Sequence, residues 1–337
     1  MTEEAKVDTV RLQSMARAFV SSASLFAAID LGLFTAVANG ASTPKAFATS
    51  AGISELNADR LMTMCSANGL LEWQDGGYIN ASDVQRYLVE AEQRYAGAWL
   101  TFMRPSYERW SKLTELLMNK EPARITPGSV IDMTVEKARD YHKATASVGF
   151  GAGRRFVRDV DLSDRSKMMD LGGGSGAYSI VAAEKYPQFT AVVFDLPAVV
   201  EVTREFIDRH GVGDQVTAQA GDFTRDDFPS ECDVAVMASN LPMYGRSVIQ
   251  SVIRKAFDSL EPGGEMHLVG EMLDDDRMGP ADAAIWGLAE ALANSTGHAH
   301  TRAECIGYFE NAGFVKVQEH EFIPGVLARV SGIKSNG

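Results

Sequence analysis

The chain has 337 residues, of which 45% are hydrophobic and 23% charged, enough for two domains or for one large domain with an appendage. Its 45 acidic residues outnumber its 32 lysines and arginines, and a net charge of −13 argues against a nucleic-acid partner. Three widely separated cysteines give neither a disulfide framework nor a metal-ligand spacing. The acidic N-terminus has no apolar signal segment, and no apolar run suggests a membrane span. We therefore expect a cytoplasmic protein that binds no membrane and holds no metal.

Residues 1–95 predict a mostly helical domain. Apolar residues recur at helical spacing over 20–40, and the segments 42–52 and 54–71 each open on a Ser or Thr that suits a helix N-cap. The sequence LLEWQDGGYINAS then alternates around two glycines, which predicts a tight hairpin. Helices followed by a hairpin are typical of a winged-helix domain. Residues 1–90 carry 6 basic against 10 acidic residues, however, which favours dimerisation or pocket closure over DNA binding.

Residues 96–165 predict a helical linker that contributes to an acceptor pocket. Two long helices are expected, RYAGAWLTFMRPSYERWSKLTELLMNK over 94–120 and EKARDYHKATASVGFGAGRRFVRDV over 136–160. Pro122, Pro127 and Gly128 mark the break between them.

From residue 166 to residue 337, short apolar runs alternate with helical stretches. This alternation predicts an α/β fold with a mostly parallel, doubly wound sheet. The expected strands are KMMDLGGG, TAVVFDLP, VTAQAGDF, CDVAVMAS and GEMHLVGEML, and the expected helices lie near 176–186, 197–210, 245–260 and 281–294.

The glycine-rich stretch DLGGGSG follows the first of these strands and predicts a ligand that lies against bare backbone. The spacing is not the GxGxxG of a dinucleotide site, and no Lys-Ser/Thr pair follows it as in a phosphate-binding P-loop. Asp170 stands immediately before the glycines and would suit a cation. Asp195 ends the next strand, where an acid suits ribose hydroxyls, and Asp222 with Phe223 ends the third. Three acids and one aromatic ring match S-adenosylmethionine (SAM), which is cationic and has no phosphate.

These motifs resemble the class I SAM-dependent methyltransferases, specifically the small-molecule O-methyltransferase family with an N-terminal dimerisation domain. The similar segments are MMDLGGGSG, VVFDLPAVV, AGDF, RKAFDSLEPGGEMHLVGEML, AECIGYFENAGF and, near the N-terminus, LFAAIDLGLFTAV. The resemblance implies a Rossmann-like sheet, an intertwined homodimer and a small-molecule acceptor. It implies that the SAM-binding residues are Asp170, Gly172, Gly174, Asp195, Leu196, Asp222, Phe223 and Ser239.

The chain departs from this family where the acceptor is deprotonated. The family has a histidine base after the fourth strand, but here Pro242 stands in its place, followed by Met243 and Tyr244. The family's later Glu-Arg pair is replaced by Ala299 and His300. A proton-free nucleophile such as a thioether sulfur or an aromatic nitrogen would not need the base. Alternatively, one of three histidines could replace it: His142, His298 or His300.

The sequence therefore favours S-methylation of a small thioether acid, as in the methylthiohydroxybutyrate S-methyltransferases of dimethylsulfoniopropionate synthesis, which this chain resembles. The predicted catalytic residues are Tyr141, His142 and Tyr244, with aromatic faces available to a sulfonium. The predicted substrate-binding residues, some of them for an acceptor carboxylate, are Arg104, Arg154, Trp286, His298 and His300. The alternatives are an O- or N-methyltransferase of an aromatic secondary metabolite and a SAM-binding protein that no longer transfers methyl.

Overall fold

A computed structural model describes residues 8–102 and 104–336. The acidic N-terminal stretch 1–7, Met103 and Gly337 lie outside the described residues. The chain divides into two compact units, which meet in sequence between Pro105 and Ser106.

The N-terminal unit is mostly helical, as its sequence predicts. Thr43 and Ser54 cap their helices, since each side chain accepts a hydrogen bond from the backbone N–H three residues on. Asp75 and Gly76, both at positive φ, form the two-residue turn of the hairpin. The elements are α1 (Val10–Asp30), α2 (Leu33–Ala38), α3 (Pro44–Ala51), α4 (Glu55–Ala67), β1 (Leu71–Gln74), β2 (Gly77–Asn80), α5 (Ser82–Tyr87) and α6 (Gly97–Leu100).

The helical stretch 20–40 is interrupted at Gly32, whose φ of 65° is left-handed and ends the run of α1. Helix α2 then turns its apolar side chains inward, and Leu33 and Phe34 are fully buried in the core of this unit. Within the described residues, α1 is also long and apolar enough to cross a membrane by length and composition alone. The sequence-based expectation that no apolar run suggests a membrane span does not hold for this helix by that measure. Most of this helix is exposed, including Leu12, Met15 and Phe19.

The prediction of one long helix over 94–120 is wrong. The segment forms α6, a 3₁₀ turn at Arg104–Ser106, and the short helices α7 (Tyr107–Ser111) and α8 (Leu113–Leu117). Pro105 has no N–H to donate and disfavours helical geometry in the residue before it, so a continuous helix cannot pass through it. After α9 (Gly128–Ile131), the second predicted long helix forms as expected, as α10 (Val135–Asp159), capped by the Thr134 side chain.

The second unit is built on a seven-stranded, mostly parallel sheet. Its strands are β3 (Lys167–Leu171), β4 (Thr190–Asp195), β5 (Val216–Ala220), β6 (Cys232–Ala238), β7 (Leu260–Gly270), β10 (Val315–Ile323) and β11 (Leu327–Ile333). Their order is β10-β11-β7-β6-β3-β4-β5, and β11 is antiparallel to both of its neighbours. The strand order reverses between β3 and β6, so the carboxyl ends of these strands open a crevice there.

Helices cover both faces of this sheet and separate its strands in the chain. They are α11 (Ala177–Lys185), α12 (Pro197–His210), α13 (Arg246–Ser259), α14 (Ala281–Ala293) and α15 (Arg302–Ala312). A minor pair, β8 (Met272–Leu273) and β9 (His300–Thr301), lies beside the sheet. The four helices predicted from the sequence in this unit all form, within one or two residues of the expected ends.

Candidate functional site

The glycine loop begins at the carboxyl end of β3. Gly172 and Gly174 have φ values of 66° and 56°, which L side chains rarely adopt. A Cβ on Gly174 would lie 2.4 Å from the His142 ring, and one on Gly172 would lie 2.7 Å from Asn240 Nδ2 and 2.9 Å from the Phe223 ring. Both positions therefore require glycine, because a side chain would clash with its neighbours and because the backbone is left-handed.

Asp170 is a buried carboxylate at the end of β3. Its Oδ2 accepts a hydrogen bond of 2.8 Å from Ser179 Oγ, while its Oδ1 has no hydrogen-bond partner among the described residues. Burial raises the pKa of Asp170 from 3.8 to about 6, and the nearby Asp195 adds to that rise. A cation near this oxygen would stabilise the ionised form of the buried carboxyl.

Asp195 lies at the end of β4, next to the same loop. Its two oxygens accept hydrogen bonds from the backbone N–H groups of Gly174 (2.8 Å) and Leu196 (2.7 Å). Burial raises its pKa to about 6 in spite of these bonds. Leu196 thus contributes its N–H to orient the acid rather than a side chain of its own.

A third acid, Glu271, completes this cluster and was missed by the sequence analysis. It follows β7 directly, and burial raises its pKa. Glu271 raises the pKa of the Tyr141 and Tyr178 hydroxyls, after burial itself, which places both phenols near the acids. The Tyr178 hydroxyl has no hydrogen-bond partner among the described residues. The signal in the sequence was its position at a strand end, the same as that of Asp170.

The cluster of acids fits the methionine and ribose parts of SAM. The carboxylates of Asp170, Asp195 and Glu271 suit an ammonium and a sulfonium, and burial raises the pKa of all three. His142, packed against Gly174, is buried and has its pKa lowered to about 4 by burial, so it is neutral at pH 7.

The third predicted acid, Asp222, is used differently from the expectation. Its Oδ1 accepts hydrogen bonds from the backbone N–H (2.9 Å) and the hydroxyl (2.6 Å) of Thr224, so it shapes the turn after β5. Phe223 is buried against Gly172 and packs edge-on to Tyr244 at 5.2 Å. An adenine can therefore contact this turn, while one oxygen of Asp222 is already engaged.

Ser239 and Asn240 end β6 and brace the loop from the other side. Ser239 has a positive φ of 60°, a strained value for a non-glycine residue. Asn240 Nδ2 donates to the carbonyl oxygens of Gly172 (3.2 Å) and Ala238 (3.0 Å). Asn240 is thus a second positioning residue that the sequence analysis did not identify.

The position of the absent base lies in a buried 3₁₀ turn, Leu241–Met243, that α14 packs against. A Cβ on Gly297 would lie 2.4 Å from the Pro242 carbonyl oxygen and 2.7 Å from Glu290 Cγ. Glu290 of α14 therefore stands within about 5 Å of Pro242. Tyr244, just after the turn, is also buried, and burial raises the pKa of its hydroxyl.

His300, predicted to bind the substrate, has a partner for each of its ring nitrogens. Nδ1 lies 2.9 Å from the Tyr308 hydroxyl and Nε2 lies 3.0 Å from the Tyr244 carbonyl oxygen, and the side chain is fully buried. His298 stacks on His300 with ring centroids 4.3 Å apart, and its Nδ1 lies 3.2 Å from the Thr296 carbonyl oxygen. The stacked rings of His298 and His300 therefore pack beside the segment that carries Tyr244.

The two arginines predicted to bind an acceptor carboxylate belong to different units of the chain. Arg104 forms a bidentate ion pair with Asp30 inside the N-terminal unit, with a shortest contact of 2.8 Å. Arg154 is exposed on α10, twelve residues beyond His142, which is roughly 18 Å along the helix. At this turn Gly153 packs against the backbone of Ala177, and the role of Arg154 in binding an acceptor stays a prediction.

Trp286 is half-buried on α14, one turn before Glu290. Residues spaced i, i+4 lie on the same helix face. Trp286 and Glu290 therefore lie together on the helix that packs against the Pro242 turn.

Comparison with known proteins agrees with this geometry. An O-methyltransferase domain matches residues 128–315, and an O-methyltransferase dimerisation domain matches residues 13–90. The 3-hydroxy-5-methyl-1-naphthoate 3-O-methyltransferase of Streptomyces sahachiroi is 30% identical over 96% of this chain and 95% of its own. The L-tyrosine C(3)-methyltransferase of Streptomyces lavendulae is 28% identical over 77% of this chain and 74% of its own. The crystal structure of human N-acetylserotonin methyltransferase in complex with SAM superimposes with a TM-score of 0.83 at 25% identity, covering 99% of this chain and all of that one.

The molecule is a SAM-dependent methyltransferase with a Rossmann-like sheet domain and a helical N-terminal region. It belongs to the small-molecule O-methyltransferase family that carries a dimerisation domain. That domain indicates a homodimer, and the exposed apolar face of α1 lies largely within it. The N-terminal helices and hairpin correspond to this dimerisation domain, and nothing in the comparisons supports the winged-helix description. The relatives named above methylate oxygen or carbon, and none of them supports the thioether-acid branch.

Proposed function

We propose that this protein transfers the methyl group of SAM to a small-molecule acceptor whose nucleophilic atom carries no proton, with a thioether sulfur as the first candidate. The observation that carries the proposal is the buried Pro242 at the position of the family's histidine base. Both ring nitrogens of His300 have partners and the His142 ring lies against Gly174, which disfavours these two of the three candidate histidines as a replacement for that base.

SAM, when bound, supplies an activated methyl group on a sulfonium. The acids Asp170, Asp195 and Glu271 would hold the cationic and ribose parts, and the glycines allow backbone contact. Alignment and exclusion of water then supply most of the rate, since correct positioning alone can be worth roughly 7–11 kcal/mol. A nucleophile without a proton needs nothing further from a base.

The aromatic side chains near the site suit a cationic product. Tyr141, Tyr244 and Trp286 offer ring faces to a sulfonium. With Arg104 held by Asp30 and Arg154 exposed far along α10, the acceptor's carboxylate has to be bound by other groups. We therefore propose the thioether as the reacting group and treat the carboxylate as an accessory feature.

A second candidate is an aromatic hydroxyl, which the naphthoate O-methyltransferase relative favours. The specific observation in its support is Glu290, a carboxylate close to Pro242 that could accept the phenolic proton.

The test measures S-adenosylhomocysteine release with methylthiohydroxybutyrate and, separately, with a hydroxynaphthoate, each from pH 6 to 9. We expect turnover of the thioether that is nearly constant above pH 7, because no proton leaves the nucleophile. Turnover of the naphthoate alone, rising with pH, would overturn the sulfur assignment in favour of oxygen.

A further inference from the structure

Glu290 is a half-buried acid beside the Pro242 turn. It lies on α14, and its carboxylate accepts a hydrogen bond from Ser295 Oγ while the Ser295 N–H donates to the Glu290 carbonyl oxygen. Gly297 N–H in turn donates to Ser295 Oγ at 3.0 Å. The carboxylate is therefore held in place by the loop that ends α14.

This loop also fixes the distance from Glu290 to the Pro242 turn. Gly297 lies between the two, with no room for a side chain, so α14 and the turn approach each other closely. Two backbone hydrogen bonds, Arg124 N–H to Asn294 O and Thr296 N–H to Arg124 O, both of 2.8 Å, secure the loop from outside. A larger residue at 297 would move the carboxylate away from the site.

Among the described residues, no cation contributes to the pKa of Glu290. The turn brings Tyr244, whose hydroxyl pKa is raised in part by Glu290. Helix α8 carries Glu115, and the short strand β8 consists of Met272 and Leu273, which do not ionise. Burial accordingly raises the pKa of Glu290, and Ser295 offsets only part of that rise.

We propose that Glu290 is the acceptor-facing carboxylate of this active site and that it stabilises the positive charge that develops on the acceptor atom during methyl transfer. The inference rests on the proposed methyl transfer. The acceptor's lone pair forms the new bond to the methyl carbon. The old carbon–sulfur bond breaks with its electrons kept by the cofactor sulfur, which becomes a neutral thioether. With a thioether acceptor the charge stays on the new sulfonium and no proton moves. With a hydroxyl acceptor the same carboxylate accepts the proton.

The experiment compares Glu290→Gln, Glu290→Asp and, as a matched control, Glu261→Gln, an exposed acid on β7. Gln keeps the shape and can still accept from Ser295, so the fold and SAM affinity by calorimetry should not change. We expect kcat to fall about 10- to 100-fold in Glu290→Gln, by analogy with other charge-stabilising groups, with partial recovery in Glu290→Asp. The control should match the wild type.

The pH profile separates this role from a structural one. With SAM saturating at every pH, wild-type kcat should fall on the acid side as Glu290 is protonated, and the Gln variant should lack that fall. A Gln variant within twofold of wild-type kcat, or one that keeps that fall, would overturn the proposal. If the wild type turns over only the hydroxynaphthoate, the sulfur assignment fails, and Glu290 is judged by the same variants on that acceptor.

Discussion

Asp170→Asn is expected to stabilise the protein in the absence of SAM while abolishing SAM binding. The Asp170 carboxyl is buried, and its pKa in the folded state is about 6 against an ordinary value of 3.8 in the unfolded chain. As pH rises between these values, the unfolded chain loses its proton first, so stability falls with pH. A pKa shift of this size lowers the free energy of unfolding by about 3 kcal/mol above pH 6. The Asn side chain removes the charge and can still accept the hydrogen bond from Ser179.

The difference between Asp170→Asn and wild type should therefore be near zero at pH 4 and reach its full size by pH 7. Thermal unfolding at several pH values measures it, and calorimetry measures SAM affinity. Asp214→Asn, an exposed acid before β5, serves as the control and should change neither quantity. A variant that is less stable than wild type at pH 7 would show that the carboxylate is favourably solvated after all.

Gly174→Ala is expected to damage both the fold and the cofactor site. The residue has a left-handed φ of 56°, which costs an alanine roughly 1–2 kcal/mol, and its Cβ would overlap the His142 ring at 2.4 Å. The ring or the loop must shift, and the Gly174 N–H would lose its 2.8 Å hydrogen bond to Asp195. We expect a loss of stability of about 2 kcal/mol and a fall in SAM affinity of tenfold or more.

A double variant tests the cause. His142→Ala in the Gly174→Ala background frees the space but not the backbone strain, so it should recover part of the stability. Gly151→Ala on α10 is the control: nothing lies within 4 Å of its added Cβ, and alanine is the better helix former. It should be neutral or slightly stabilising. Equal effects of Gly174→Ala with and without His142 would contradict the steric explanation.

Much of the sheet domain could be predicted from sequence because its signals are local. A strand that ends in Asp170 and opens into glycines, and a second that ends in Asp195, each carry their own meaning, and parallel topology brings strand ends together. Glu271 follows the same rule, because it stands directly after β7. The prediction of one long helix over 94–120 was wrong because the helical periodicity of this segment continues across Pro105, whereas the helix cannot.

The acceptor side could not be predicted in this way, because its contacts join distant parts of the chain. Arg104 was predicted to bind the substrate, but it pairs with Asp30, which lies 74 residues earlier in the chain. His300 was one candidate for the base, and its two ring nitrogens lie near the Tyr308 hydroxyl and the Tyr244 carbonyl oxygen. Glu290 carried no motif, and it becomes a candidate only because Gly297 brings α14 against Pro242.

The raised pKa values of Asp170 and Asp195 make cofactor capture a proton-coupled event. At pH 5 both carboxyls are largely protonated before SAM arrives, and a cation that pairs with them must displace those protons into solvent. The affinity for SAM should therefore increase from pH 5 to pH 7 and level off above, and the heat of binding below pH 6 should vary with the ionisation enthalpy of the buffer. A cell compartment that acidifies by one unit would thus loosen this enzyme's hold on its methyl donor without any change in the acceptor pocket.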